Sequence, residues 1–147
     1  MPILVATEKT MARELILVVD DDTPIRSLLN QELSDAGYHV KEAADGKEAL
    51  DMVRISKPDL IILDELFSGL SLAEVAGIVP IIEKLRIQGK TIIMIEHRLK
   101  ELFKIADRVT VIRDGYRTGT EKVEDIEPSK LLNLAYNIFS DTENILE

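Results

Sequence analysis

The chain has 147 residues, 46% of them hydrophobic and 31% charged, with a formal charge of −9. That composition fits one soluble globular domain and excludes a disordered chain, a nucleic-acid clamp or an anionic-membrane binder, because the last two need a basic footprint. The absence of cysteine removes disulfides, thiolate metal sites and thiol nucleophiles together, and it fits a reducing, cytoplasmic location.

Strand-like runs alternate with helical periodicity, the pattern of a parallel sheet wrapped by crossover helices. The opening MPILVATEKTMARE lacks the basic leader and long apolar core of a signal peptide, and no apolar run approaches the roughly 20 residues of a membrane span. Leu15 to Val19 is a continuous apolar run of strand length, suited to burial on both faces. Thr23 and Pro24 then supply a cap and a first-turn proline. Ile25, Leu28, Leu29 and Leu33 repeat on one helical face, and Gly37 ends the helix. His39 to Ala43 reads as a second strand, Asp45 opens a second helix with Ala49, Leu50 and Val53 inward, and Leu60 to Leu63 is the third strand.

Leu72 to Gln88 carries Val75, Val79, Ile82 and Leu85 on one face, with Gly77 and Pro80 as the places where the helix is expected to bend or break. Thr91 to Ile95 is a fourth strand, Leu99, Leu102, Phe103 and Ala106 mark a helix, and Val109 to Ile112 is a fifth strand. Asp114-Gly115 predicts a hairpin returning Tyr116 to Val123 antiparallel at the sheet edge, and Pro128 to Phe139 closes as an amphipathic helix. The expected fold is a single α/β domain over residues 1–147. It is a three-layer, flavodoxin-like parallel sheet of order 2-1-3-4-5 with an extra antiparallel edge strand after the fifth. Residues 1–11 and 140–147 read as extensions, Met11 as an alternative start and Leu146-Glu147 as a purification-tag scar.

Asp20-Asp21-Asp22 ends the first strand and Asp64 ends the third. Loops at the carboxyl ends of parallel strands converge on one crevice, so these carboxylates should lie near one another. Crowded carboxylates repel, and a hard divalent cation relieves the repulsion, which makes magnesium the natural guest. Helix capping by Asp22 or Thr23 is the other use of the same acidic loop. VVDDD, DGKEAL and PDLIILD, within about residues 12–64, together resemble the receiver domain of response regulators, in particular the chemotaxis regulators. The resemblance implies Asp20 and Asp21 as an acidic pair that helps hold magnesium, Asp64 as phosphoacceptor, and the Leu66 carbonyl as a further metal ligand. The pattern then fails. Glu96 stands at or next to the place of the family's Ser or Thr after the fourth strand, and Arg113 is the only cation near the place of its Lys-Pro pair. A carboxylate beside a phosphoryl group is repulsive, and a displaced arginine does not replace a lysine.

From Leu60 onward a second pattern begins. LIILDELFSGLS and, after it, TIIMIEHRLKELFKIADRVTVIRDG resemble the Walker B strand and the switch-histidine strand of ABC-transporter ATPases, over about residues 60–139. This resemblance implies Asp64 as a magnesium-associated carboxylate, Glu65 at the catalytic-base position and His97 as the switch histidine. Leu66 replaces the family's proline and Ser71 its aspartate. These 147 residues contain no GxxxxGK[ST] loop, LSGGQ-type signature or glutamine loop. A base without a triphosphate clamp has little to act on, so Glu65 and His97 read as vestigial, and neither ATP binding nor enzymatic activity is expected.

Half of one family joined to the complementary half of another, inside a strand both share, reads as an engineered chimera with no evolved catalysis and weak magnesium binding at Asp20, Asp21 and Asp64. Two other readings are a divergent receiver phosphorylated on Asp64, and an ATPase fragment working with a partner that supplies the Walker A loop. No specific partner, nucleic acid or membrane is expected, and a homodimer through a half-domain interface left by either parent is compatible with the sequence.

Overall fold

The computed structural model describes residues 14–136. The extensions 1–11 and 140–147, Met11, Leu146-Glu147 and the end of the last helix toward Phe139 lie outside them. In chain order the elements are β1 (Leu15–Val19), α1 (Thr23–Asp35), β2 (His39–Ala43), α2 (Gly46–Ser56), β3 (Leu60–Asp64), α3 (Leu72–Ile87), β4 (Thr91–Ile95), α4 (Leu99–Ile105), β5 (Arg108–Arg113), β6 (Tyr116–Lys122) and α5 (Pro128–Tyr136). They fall into two compact units, one ending at His97 and the other beginning at Arg98. Among the described residues no helix is long and apolar enough to cross a membrane.

The first unit is a four-stranded parallel sheet of order β2-β1-β3-β4, the first four places of the expected flavodoxin-like arrangement. β1 sits centrally because LILVV has no polar residue to place on either face, and Val18 and Leu17 are 0% and 1% exposed. Local signals set the helix ends. Asp22, not Thr23, caps α1 by accepting from the Ile25 amide at 3.2 Å, and Asp45 caps α2 by accepting from the Glu48 amide at 2.8 Å. Gly37, at φ +99°, closes α1 in a Schellman motif, its amide bonded to the Ser34 carbonyl and that of Tyr38 to Leu33. Leu29 and Leu33 of α1 are half-buried while Ile25 and Leu28 stay exposed.

α3 differs from expectation. It runs unbroken for 16 residues with Pro80 inside it. Proline there removes only the hydrogen bond to the Ala76 carbonyl, and both Pro80 and Ala76 lie on the exposed side, where water can replace the lost donor. A capping box holds the start of α3. Ser71 Oγ accepts from the Glu74 amide while Glu74 Oε2 accepts from the Ser71 amide. Val75 and Ile82 are buried on the expected face, flanked by half-buried Val79 and Leu85.

In the second unit β5 and β6 pair antiparallel, with a register shift between Val111 and Ile112. Asp114 and Gly115 have φ of +50° and +79°, the two positive angles of a type I′ hairpin turn. The fifth position expected in the parallel sheet is therefore a correction. Among the described residues β5 is hydrogen-bonded in a separate two-stranded sheet with β6. Its first four residues, RVTV, alternate polar-exposed with apolar-half-buried, which suits a half-exposed antiparallel ribbon better than a parallel strand covered on both faces; past the register shift Ile112 is exposed. Among the described residues of this unit, Leu102 and Ile105 of α4, Ile126 ahead of α5 and Leu131 of α5 are its buried apolar residues.

Candidate functional site

The register of the parallel sheet builds the site. β1 and β3 pair with Val19 opposite Leu63, so Asp20 and Asp64 follow at the same level on neighbouring strands, about 4.8 Å apart in the sheet. β3 and β4 pair with Asp64 opposite Ile95, which brings Glu65 and Glu96 level at the next step. The expected convergence of Asp20, Asp21 and Asp64 is thus present as an electrostatic cluster. Burial pushes the Asp64 carboxyl above its ordinary value, and the charges of Asp20, Glu65 and Asp21 push it further the same way.

Among the described residues Asp20 is the one polar residue in the buried core, 6% exposed. Its Oδ1 accepts from the Asp22 amide at 2.8 Å and its carbonyl from Arg26 Nη1 at 2.6 Å. Asp21 is exposed and Asp64 half-buried. Arg26 is a residue that sequence reasoning missed. It also forms an ion pair with Glu42 at 3.0 Å, fixing the β1–α1 loop, and Asn30 Nδ2 donates to the same carboxylate. The available signal was a lone arginine one helical turn after the acidic cap.

Glu65 adopts φ +45°, a left-handed conformation uncommon for a residue with a side chain. Its amide donates to the Ile95 carbonyl at 2.9 Å and its carbonyl accepts from the Ser68 amide at 2.8 Å, so the turn leaving β3 is held on both sides. Glu96 Oε1 accepts from the Phe67 amide at 2.7 Å, while its Oε2 is buried with no hydrogen-bond partner. Burial raises the Glu96 carboxyl, Glu65 adds to that, and the Phe67 amide and His97 oppose it. Glu96 therefore ties the β3–α3 loop to the end of β4. His97 is exposed. Arg113, in the second unit, pairs with the adjacent Asp114 at 3.7 Å.

Among the described residues no three histidine or carboxylate side chains converge into a ready-made metal site. The donor set still fits magnesium in kind, because this ion keeps several waters and needs only one or two carboxylates. Asp20 and Asp64 supply such a pair, with Asp21 beside it, and a cation there would relieve the repulsion that raises Asp64.

A parallel α/β sheet of this order, with acidic residues at the carboxyl ends of β1 and β3, defines a flavodoxin-like fold of the kind that carries signalling receivers. The sequence profile of the response regulator receiver domain matches residues 16–106, and the chain belongs to that family. The match runs past Asp64, further than the expected 12–64 segment, because α3 and β4 satisfy the same hydrophobic pattern.

Among solved structures, the chemotaxis protein CheY4 of Vibrio cholerae is 30% identical with a TM-score of 0.50, covering 65% of this chain and 82% of that one. A CheY-like receiver domain protein from Methanospirillum hungatei JF-1 is 26% identical with a TM-score of 0.51, covering 61% and 70%. The chain also has ABC ATPase-like relatives, matched over stretches long enough to overlap the receiver match. The ribose import ATP-binding protein RbsA of Clostridium perfringens is 44% identical over 73 residues, 50% of this chain and 15% of the relative. The galactose/methyl galactoside import ATP-binding protein MglA of the same species is 39% identical over 90 residues, 58% and 18%. The chain thus spans less than a fifth of the length of these curated relatives, and a chimeric make-up is consistent with both sets.

Proposed function

We propose that the chain is a chimeric receiver that binds magnesium weakly through Asp20, Asp21 and Asp64, carries out no catalytic turnover and has no specific macromolecular partner. The observation that carries this reading is the strand register. It aligns Asp20 with Asp64, as a cation site requires, and puts the Glu96 carboxylate at the end of β4, where a receiver needs a hydroxyl. A phosphoryl group on Asp64 would find no hydroxyl donor there, the Glu96 carboxylate being held by the Phe67 amide instead. Glu65 has the chemistry of a base, but the 147 residues supply no Gly-rich phosphate loop for it to work with. Resemblance to two different families within one chain supports an engineered junction, and the lack of cysteine supports a cytoplasmic setting.

Phosphate release from magnesium-ATP and intact mass after incubation with acetyl phosphate and magnesium test the reading. The expected result is release no faster than the protein-free blank and an unchanged mass. Sustained release that Glu65→Gln abolishes would overturn the absence of turnover. Family membership favours one second reading, a divergent receiver that accepts phosphate. It predicts one added phosphate mass that Asp64→Asn removes.

A further inference from the structure

We propose that the cleft between α2 and α3 is a binding site for an amphipathic organic cation, an alkyl chain carrying an ammonium head. The cleft holds a cavity of about 490 Å³ lying wholly within the first unit, inside the roughly 300–1,000 Å³ range of small-molecule sites. One wall is α2, with Ala49 and Val53, and the other is α3, with Ile82 and Leu85, over a floor of Ile61 and Ile92. The cleft is partly open to solvent, and its aliphatic walls offer ordered water few partners.

Leu50 of α2 and Ile78 and Ile81 of α3 complete the aliphatic walls. The mouth of the cavity has the opposite character. Asp20, Asp21, Asp64 and Glu65 line it, together with Asp45 and a single cation, Lys47. Carboxylates at one end and an aliphatic cleft behind them complement a molecule with a cationic head and an apolar tail. An alkyl anion would meet repulsion at the rim, and a hydrated metal ion has nothing to place against the aliphatic walls.

The proposal shares rim carboxylates with the magnesium reading but rests on the cavity, and the test separates the two. The full-length chain is titrated with decyltrimethylammonium below its micelle concentration, with decanoate as the anionic comparison, while Ile, Leu and Val methyl signals are followed by NMR. Saturable shifts are expected at Ile61, Ile82 and Ile92, with the ammonium binding about ten-fold tighter than decanoate, a difference of about 1.4 kcal/mol. Asp64→Asn should shrink that preference without removing tail binding. Ala49→Phe, which fills the cavity, should abolish the methyl shifts while magnesium-induced amide shifts persist. If that variant fails to fold, a spin-labelled ammonium head on the wild-type chain gives the same answer by broadening the Asp21 and Glu65 amides. Equal affinity for decanoate, or shifts confined to the exposed Leu72 and Ile87, would overturn the proposal.

Discussion

Phe67→Ala is the most searching perturbation of the seam between the two sequence patterns. Phe67 lies in the loop after β3 and is 0% exposed, and its amide donates to Glu96 Oε1 at 2.7 Å. An aromatic side chain buries about 150–250 Å². At about 25 cal/mol per Å² this is worth roughly 4–6 kcal/mol, an upper bound because a denatured chain already hides part of its surface. Truncation should cost about 3–5 kcal/mol including the cavity left behind, a large share of the roughly 5–15 kcal/mol that holds a domain together. Phe67→Leu keeps most of the volume and the same backbone bond, and should cost about 1 kcal/mol. Urea unfolding of the three proteins, followed by circular dichroism, reads both differences from the midpoints at unchanged slope. A loss below about 1 kcal/mol in Phe67→Ala, the range of ordinary surface changes, would refute the view that this loop is packed as core.

Ser71→Ala removes the capping box of α3 and should lower stability by about 1 kcal/mol in the same assay. Ser71 also holds the Glu74 carboxyl below its ordinary 4.5, through its side chain first and its backbone second. That contribution is present above 4.5 and lost as pH falls, so the variant should show weaker acid sensitivity. Asp64 and Glu96 act in the other direction. Their carboxyls are raised above the ordinary 3.8 and 4.5, burial being the main cause in each. The native state then keeps protons that the unfolded chain has released, and stability falls as pH rises above those ordinary values. Glu96→Gln should raise the melting temperature at pH 7 and flatten the decline that begins above the ordinary 4.5. An unchanged or steeper decline would contradict the assigned burial of that carboxyl.

Much of the first unit could be read from short-range chemistry. LILVV is uniformly apolar and became the central strand; Asp45, Gly37 and Asp114-Gly115 set their cap, stop and turn by local geometry alone. Asp20 and Asp64 met because strand ends converge in any parallel sheet. The differences arose where tertiary surroundings decide. Pro80 was tolerated because its side of α3 faces water, and β5 took its hairpin neighbour because its RVTV start alternates. Arg26 reaches Glu42 across 16 positions, a pairing that periodicity cannot reveal. Phe67 sat in a stretch that reads as loop, yet its side chain is wholly buried. The α2–α3 cavity has no sequence signature, since it is a lack of atoms between two helices that are each well patterned.

Magnesium titration of the 147-residue chain, observed through backbone amide NMR, is the most direct test of the cation site. Saturable, weak-affinity shifts are expected at Asp20, Asp21 and Asp64, lost in Asp64→Asn, with Glu96 and His97 moving little. Unchanged shifts at all three aspartates, or equal shifts in wild type and Asp64→Asn, would exclude that site.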